Sequence, residues 1–410
     1  MKKIIIIGFV WPEPNSTAAG SRMLQLIQLF LSNNYKITFA SVASQNEKSY
    51  KLEALGIETN SIQLNSASFE TFIKKINPEI VLFDRYITEE QFGWRVAENC
   101  PNALRILDTE DLHFLRNARF VSYKKKCELT PNLLINDITK REVASIYRCD
   151  LTLIISKYEL KLLKKTFNIP KQLLFYIPFL LDSISEKAFK LYPSFEQRIN
   201  FMTIGNFKHE PNWNAVVYLK ETIWPLIRKE LPKANLTIYG AYSSQKVEQL
   251  HNKKEGFLIE GWVESTEKAF SNAKICLAPL QFGAGLKGKL IDAMKYGTPS
   301  ITTTIGAEAM HKKLQWNGCI ENDPNKFAER AVELYKNEIM WKQAQQNGVK
   351  IINQCYLKEK FELKFMSQLE YVLKNIELHR LNNFIGTMLT HHTLKSTKYL
   401  SKWIEEKNKI

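Results

Sequence analysis

Ile275-Cys276-Leu277, then Pro279-Leu280-Gln281-Phe282-Gly283-Ala284-Gly285-Leu286-Lys287-Gly288-Lys289-Leu290-Ile291-Asp292-Ala293-Met294, then Gly297-Thr298-Pro299 before Ser300-Ile301-Thr302-Thr303, is where the architecture reads most plainly. A short apolar strand runs into a glycine loop and the loop opens a helix. Gly-Thr-Pro stops that helix, and a second strand rich in β-branched residues follows. The unit is βαβ, whose strands are parallel. Gly283 and Gly285 let the backbone approach a ligand closely. The helix start beyond them offers N–H groups and a positive dipole end, a natural phosphate site. Lys287 adds charge there. Asp292, about a turn deeper, can accept hydrogen bonds from ribose hydroxyls. The competing reading is a solvated lysine pair beside a glycine turn, and a bare G-x-G does not choose between them.

The same alternation extends both ways along the chain. Residues 4–7 are a continuous apolar run, as expected of a strand buried on both faces. Gly8 and a Pro-rich loop follow, then a helical pattern over 18–31 with Met23, Ile27 and Phe30 on one side. Further strands are expected at 35–40, 80–83, 104–107 and 151–155. The pattern restarts after Pro193, with strands at 200–204, 236–239 and 257–259 and a helix carrying Trp213, Val216, Val217 and Leu219. From Asn325 onward the chain reads as mainly helical. The expectation is an α/β chain of two Rossmann-like domains facing a cleft, residues 1–185 and 186–375, with a helical tail at 376–410.

Composition agrees. At 410 residues with 45% hydrophobic content, the chain is too long for one ordinary core. With 24% charged residues, 16 glycines and 14 prolines, disordered, collagen-like and low-complexity chains are excluded. The apolar run at 4–10 falls far short of the ~20 residues of a membrane span. It lacks a small-x-small cleavage site, so it reads as a first strand, with a cytoplasmic location expected. Six cysteines without C-x2-C spacing argue against a zinc cluster or a disulfide framework. Fifty-seven basic against 42 acidic residues give +15, which suits an anionic partner: a phosphorylated small molecule, an acidic membrane surface or nucleic acid. No RNP, zinc-finger or helix-turn-helix signature supports specific nucleic-acid binding.

The stretch from Gly283 to Pro299 resembles the donor-binding motif of glycosyltransferase family 4, the retaining nucleotide-sugar enzymes with the two-Rossmann GT-B fold. Three further segments resemble the branch with a G-x-G-x-K-x-K variant. They are Ile204-Gly205-Asn206-Phe207 with Pro211-Asn212 and Trp224-Pro225, then Gly261-Trp262-Val263, then Ile305-Gly306-Ala307-Glu308-Ala309-Met310. The segments keep the family's order over residues 199–310. A looser likeness covers Glu142 to Ser156, with Asp150, Ser156 and Glu159, and the approach to Pro178.

The resemblance implies that Lys287 holds the donor diphosphate, helped by backbone around Gly283, Ala284, Gly285 and Leu286 and by Lys289. Asp292 stands where the second glutamate of the family's Glu-x7-Glu motif binds the ribose. Gly261, Trp262 and Val263 would bracket the base, and Gly205, Asn206 and Lys208 would complete the donor side. The motif's first glutamate falls at Ala284, so its contact to the donor sugar is missing. The Gly205-Asn206 position lacks the arginine of many relatives. The family implies no metal and no cofactor beyond the nucleotide diphosphate sugar itself.

In the amino-terminal half, Asp108-Thr109-Glu110-Asp111-Leu112-His113 follows a strand, with Arg116 and Arg119 next. Carboxyl ends of parallel strands are where such sheets bind ligands. His113 resembles the histidine that faces the donor sugar in relatives, and with Asp111 it could steady developing charge. The plainer reading is a capped helix start, with Asp108 or Thr109 as cap. Ser16, Thr17 and Gly20 in the first strand-to-helix loop, and Asp84 and Arg85 after another strand, are acceptor-side candidates; loop packing would explain them equally. His209 is a possible phosphate neighbour, and His391-His392 lacks metal spacing.

The tail clusters Phe384, Ile385, Met388 and Leu389, then Tyr399, Leu400, Trp403 and Ile404, with Lys395, Lys398, Lys402, Lys407 and Lys409 around the second group. It reads first as a helix packing back on the amino-terminal domain, and second as an interfacial membrane contact.

The expectation for the whole is a retaining glycosyltransferase moving a sugar to a hydroxyl acceptor in cell-surface glycan synthesis. The acceptor would be glycan, lipid-linked or protein, and the place the cytoplasm or the periphery of the inner membrane face. The competing functions are a GT-B sugar-nucleotide epimerase and a noncatalytic nucleotide-sugar binder.

Overall fold

The computed structural model describes residues 2–409, apart from the side chains at 393 and 394. Two all-parallel sheets form the frame. The first has seven strands: β1 (Lys3–Gly8), β2 (Lys36–Ser41), β3 (Glu58–Ser61), β4 (Ile80–Asp84), β5 (Leu104–Asp108), β6 (Leu151–Ile154) and β7 (Leu174–Tyr176), ordered β3-β2-β1-β4-β5-β6-β7. The second has six: β8 (Ile199–Ile204), β9 (Leu236–Tyr239), β10 (Phe257–Gly261), β11 (Ala273–Ala278), β12 (Ser300–Thr302) and β13 (Gly318–Ile320), ordered β10-β9-β8-β11-β12-β13. Two Rossmann-like domains with helices on both faces result, as the alternation predicts.

Ile4 to Ile7 are wholly buried because helices cover both faces of β1. Ile5 and Ile7 point into one helical layer with Phe83 and Leu107. Ile4 and Ile6 point into the other with Phe30, Ile80 and Leu104. In both sheets the order reverses beside the first strand, between β1 and β4 and between β8 and β11. Those switch points open crevices at the carboxyl ends of the strands.

β3, β7 and β13 are not among the expected strands. They are edges of four, three and three residues, and β3 reads Glu-Thr-Asn-Ser, with no apolar run to mark it.

The chain crosses between domains twice, side by side. Leu181 donates its amide to the Tyr356 carbonyl at 2.9 Å, and Lys358 donates to the Leu181 carbonyl at 2.9 Å. Beyond that bridge, the helix Lys358–Lys374 buries Phe365, Leu369 and Val372 in the first domain's core with Phe30 and Tyr35. The return to the first domain therefore begins near Leu357, and the expected boundary at 375 falls after it. The reason is that this helix, read as part of the second domain, covers an apolar face of the first sheet. The last helix, Phe384–Lys407, lies on helices Arg85–Asn99 and Asp137–Arg148 of the same domain.

Candidate active site

The two switch points face each other. The loop Gly283–Gly288, between β11 and the helix Gly288–Lys295, is pressed onto the first domain. Gly285 has φ +64°, and a Cβ there would sit 2.8 Å from the Asp111 Cβ. A Cβ on Gly288 would come within 2.6 Å of Ala18. The loop's glycines thus serve both the backbone turn and the contact between domains.

Side chains from the first domain hold this loop. Arg119 donates to the Gly283 carbonyl at 2.8 Å and pairs through both terminal nitrogens with Glu308, at 2.8 and 2.7 Å. Glu159 Oε1 accepts from the Gly285 amide at 2.8 Å and from the Leu112 amide at 3.1 Å. The Gly285 amide, expected to face diphosphate, is therefore engaged by a carboxylate. At the outer rim, Tyr242 Oη meets Glu13, and Trp262 Nε1 donates to Ser16 Oγ at 3.1 Å.

On the donor side, Lys287 is folded back to the Ala284 and Gly285 carbonyls at 3.1 and 2.8 Å. It also begins the helix Gly288–Lys295, whose N-terminus has no side-chain cap, leaving its first amides toward the cleft. Burial lowers Lys287 and Lys289 to about 8, with Glu308 opposing the shift at Lys287. Burial raises Asp292 to about 6, against the pull of Lys295. Ala284, in the place of the absent glutamate, packs into the first domain's core, and Leu286 packs with Ile155 and Phe179. Gly205 abuts the Asn212 side chain; Asn206 Oδ1 accepts from the Lys208 amide, and the Lys208 ammonium lies 3.9 Å from the Tyr242 ring centre. Gly261 (φ +69°) turns the chain so that Trp262 is 40% exposed at the rim, while half-buried Val263 packs against the small core cluster around Met202 and Phe270.

Across from these, His113 Nε2 lies 3.5 Å from Asp111, which Arg116 also grips. Burial, joined by Arg116 and Arg85, lowers His113 to about 3 despite Asp111, so its imidazole is neutral at physiological pH. Burial acts to raise Asp111, but Arg116 and His113 outweigh it and hold the carboxyl well below its usual range. His209 faces the same charges from the second domain and is likewise shifted down.

The helix His113–Lys125 is not capped by Asp108 or Thr109. Asp108 is buried in an ion pair with Arg22, and Thr109 Oγ1 donates to the Leu153 carbonyl. The cap comes from another helix: Glu142 accepts from the His113 and Phe114 amides at 3.2 and 3.0 Å, and burial raises it to about 8. Sequence reading missed this cap and the Glu159 and Arg119 bridges, because each depends on contacts far apart in sequence.

Among the acceptor-side candidates, Thr17 caps the helix Ala18–Ser32 through the Gly20 amide, and Gly20 packs on the Glu13 backbone. Both have structural jobs. Asp84 Oδ2 accepts from the Phe9 amide at 3.0 Å, while its buried Oδ1 has no partner among the described residues. Arg85, at φ +70°, reaches over the Phe9 ring, so this pair borders the first sheet's crevice.

Residues 198–337 match the family model described as Glycosyl transferases group 1. An uncharacterized 44.6 kDa protein in the cps region of Klebsiella pneumoniae is 24% identical over 294 residues, 67% of this chain and 71% of that protein. The fold is that of solved GT-B glycosyltransferases. Sucrose-phosphate synthase of Thermosynechococcus elongatus superposes at a TM-score of 0.68 and 15% identity, covering 92% of this chain and 100% of that one. The pneumococcal O-GlcNAc transferase GtfA, solved with UDP and GlcNAc, gives 0.68 at 12% identity over 91% and 99%. Anabaena HepE, solved with UDP and glucose, gives 0.67 at 10% over 90% and 100%.

Proposed function

We propose, for a GT-B chain whose residues 198–337 match the group 1 glycosyl transferases, transfer of a sugar from a nucleotide diphosphate sugar to a hydroxyl acceptor with retained anomeric configuration. The observation that carries this reading is the apposition of Gly285 and Asp111. It sets the uncapped helix start with Lys287 and Lys289 opposite the neutral His113 in one cleft. Departing diphosphate would gather its growing charge beside the lysines and helix amides, which are fixed before the reaction begins. Asp292 would hold the ribose and Trp262 the base. His113 would hydrogen-bond the sugar undergoing transfer, and Asp84 and Arg85 the acceptor.

The relative in a cps region supports assembly of a cell-surface glycan, with a glycan, lipid-linked or protein acceptor. The proposed place is the cytoplasm, at the periphery of the membrane's inner face. Metal independence is part of the proposal, as the family resemblance implies, and the chelator arm of the test checks it. Ala284 favours a second reading, a noncatalytic nucleotide-sugar binder, because a donor-sugar carboxylate is absent there. The test is a panel of nucleotide sugars assayed for binding, for hydrolysis without acceptor and for transfer with excess chelator present. Binding without any turnover would favour the second reading, and a donor with changed stereochemistry would favour an epimerase.

A further inference from the structure

We infer that the outer face of the last helix, Phe384–Lys407, seats the protein on an anionic lipid surface. The inference rests on the peripheral placement proposed above and not on the transfer reaction. A helix lying on a protein normally turns its large apolar residues inward. This one packs Leu389 against the domain's core but leaves most of its large apolar residues outward. Its inner face carries Gly386, Thr390 and Ser401. Gly386 is so close to the Tyr147 carbonyl that a Cβ would stand 2.1 Å from the oxygen, and Ser401 is buried against Arg95. The outer face carries Phe384 (74% exposed), Ile385, Met388, Tyr399 (66%) and Trp403 (61%), which fall within one stripe at 100° per residue. Leu378 and Leu381 on the preceding helix Ile376–Leu381 are also exposed. Exposed apolar residues scattered singly need no explanation, but two clusters on one side of a helix do, here 384–388 and 399–403 with exposed His392 and Lys395 between them.

Charge selects the occupant. Exposed Lys395 lies on the stripe and Lys407 reaches over the Trp403 ring, while Lys402 at its border is paired with Glu70, within a chain of net charge +15. Aromatic residues with lysines around them suit the boundary between acyl chains and anionic headgroups. A second copy related by a two-fold axis would instead bring the same lysines together. No helix among the described residues is long and apolar enough to cross a membrane, so the contact is interfacial. The helix lies on the domain that carries Asp84 and Arg85.

The test uses the full chain with phosphatidylcholine vesicles, with and without phosphatidylglycerol. Wild type should bind the anionic vesicles with a blue shift in tryptophan emission that Trp403→Phe abolishes. The triple change Phe384→Ser, Tyr399→Ser and Trp403→Ser should lower vesicle affinity by about tenfold or more while melting temperature and turnover on a water-soluble acceptor stay unchanged. If the triple variant unfolds, the three single changes replace it. Wild-type binding that the variants do not weaken would overturn this surface alone, and no wild-type binding would overturn the peripheral placement with it. A dimer that the triple change dissolves would give the face to a second copy and overturn the inference.

Discussion

Glu159 Oε1, from one domain, accepts a 2.8 Å hydrogen bond from the amide of Gly285 in the other, and the same oxygen accepts from Leu112 beside His113. One carboxylate thus ties the glycine loop to the segment carrying the histidine. Its second oxygen is buried without a partner among the described residues, and burial together with Asp111 raises the group to about 7. Such a carboxylate positions both loops.

The Arg119 contacts with Glu308 and Gly283 should act with Glu159 to hold the cleft closed. Arg119→Ala would take the gripping cation from the part-buried Glu308 carboxylate and leave Lys287 acting on it, a loss below the about 3–5 kcal/mol of a fully buried pair. The domains can avoid most of that by parting. Small-angle scattering should therefore show a larger radius of gyration without donor, and donor KM should rise about tenfold, or ~1.4 kcal/mol. An unchanged radius and KM would remove the closure role.

Lys287 and Asp292 should divide the nucleotide between phosphate and ribose. Lys287→Ala is expected to lower kcat more than donor binding, because charge builds on the leaving diphosphate. Asp292→Ala removes bonds to a neutral ribose and should mainly weaken binding. Each loss is on the order of 1.5–3 kcal/mol, roughly ten- to hundredfold. Kinetics of both variants, with circular dichroism as folding control, decide this; unchanged constants would take the segment out of the site. Lys287→Met separates loop packing from charge, since it keeps most of the chain's bulk.

His113→Ala should cut turnover by about a hundredfold and leave nucleotide affinity nearly unchanged, because His113 sits across the cleft from the lysines. As the imidazole titrates near 3, the wild-type rate should show no His113 ionisation between about pH 5 and 8. A nucleotide affinity that fell with turnover would contradict the assignment.

Stability should fall as pH rises toward 8, and Glu142 is one cause. Its folded value, about 8, lies above an ordinary glutamate's. The native state therefore keeps a proton that the unfolded chain has released, and this contribution is lost as pH climbs through the folded value. Glu142→Gln removes the titration at the cost of one helix-cap bond. Its melting temperature should drop less than wild type's between about pH 5 and pH 9. Parallel profiles would show that Glu142 does not titrate in this window.

Local rules predict the parts of this fold that local forces make. Ile4 to Ile7 and the glycine loop at 283–288 could be read because burial on both faces, or a backbone turn, dictates residue type over a few positions. β3 could not, because an edge strand asks little of its side chains. Lys287 and Lys289 could be singled out because they stand at a helix start after a glycine loop, where the structure places them. Arg119, Glu142 and Glu159 are ordinary charged residues on helices until tertiary packing brings them to Gly283, His113 and Gly285. The sequence leaves Thr17 open between acceptor contact and loop packing because a residue able to contact a ligand is also a good cap for the helix it precedes, and capping is the job the structure gives it.

The paired crossings at Leu181 and Leu357 have a consequence for biosynthesis. The second domain is a continuous insertion between them, whereas the first needs Phe365, Leu369 and Val372 from beyond the second crossing to complete its core. On the ribosome, the domain begun second can therefore finish folding first. The domain begun first must wait, with part of its apolar sheet face uncovered, until the inserted one has been made.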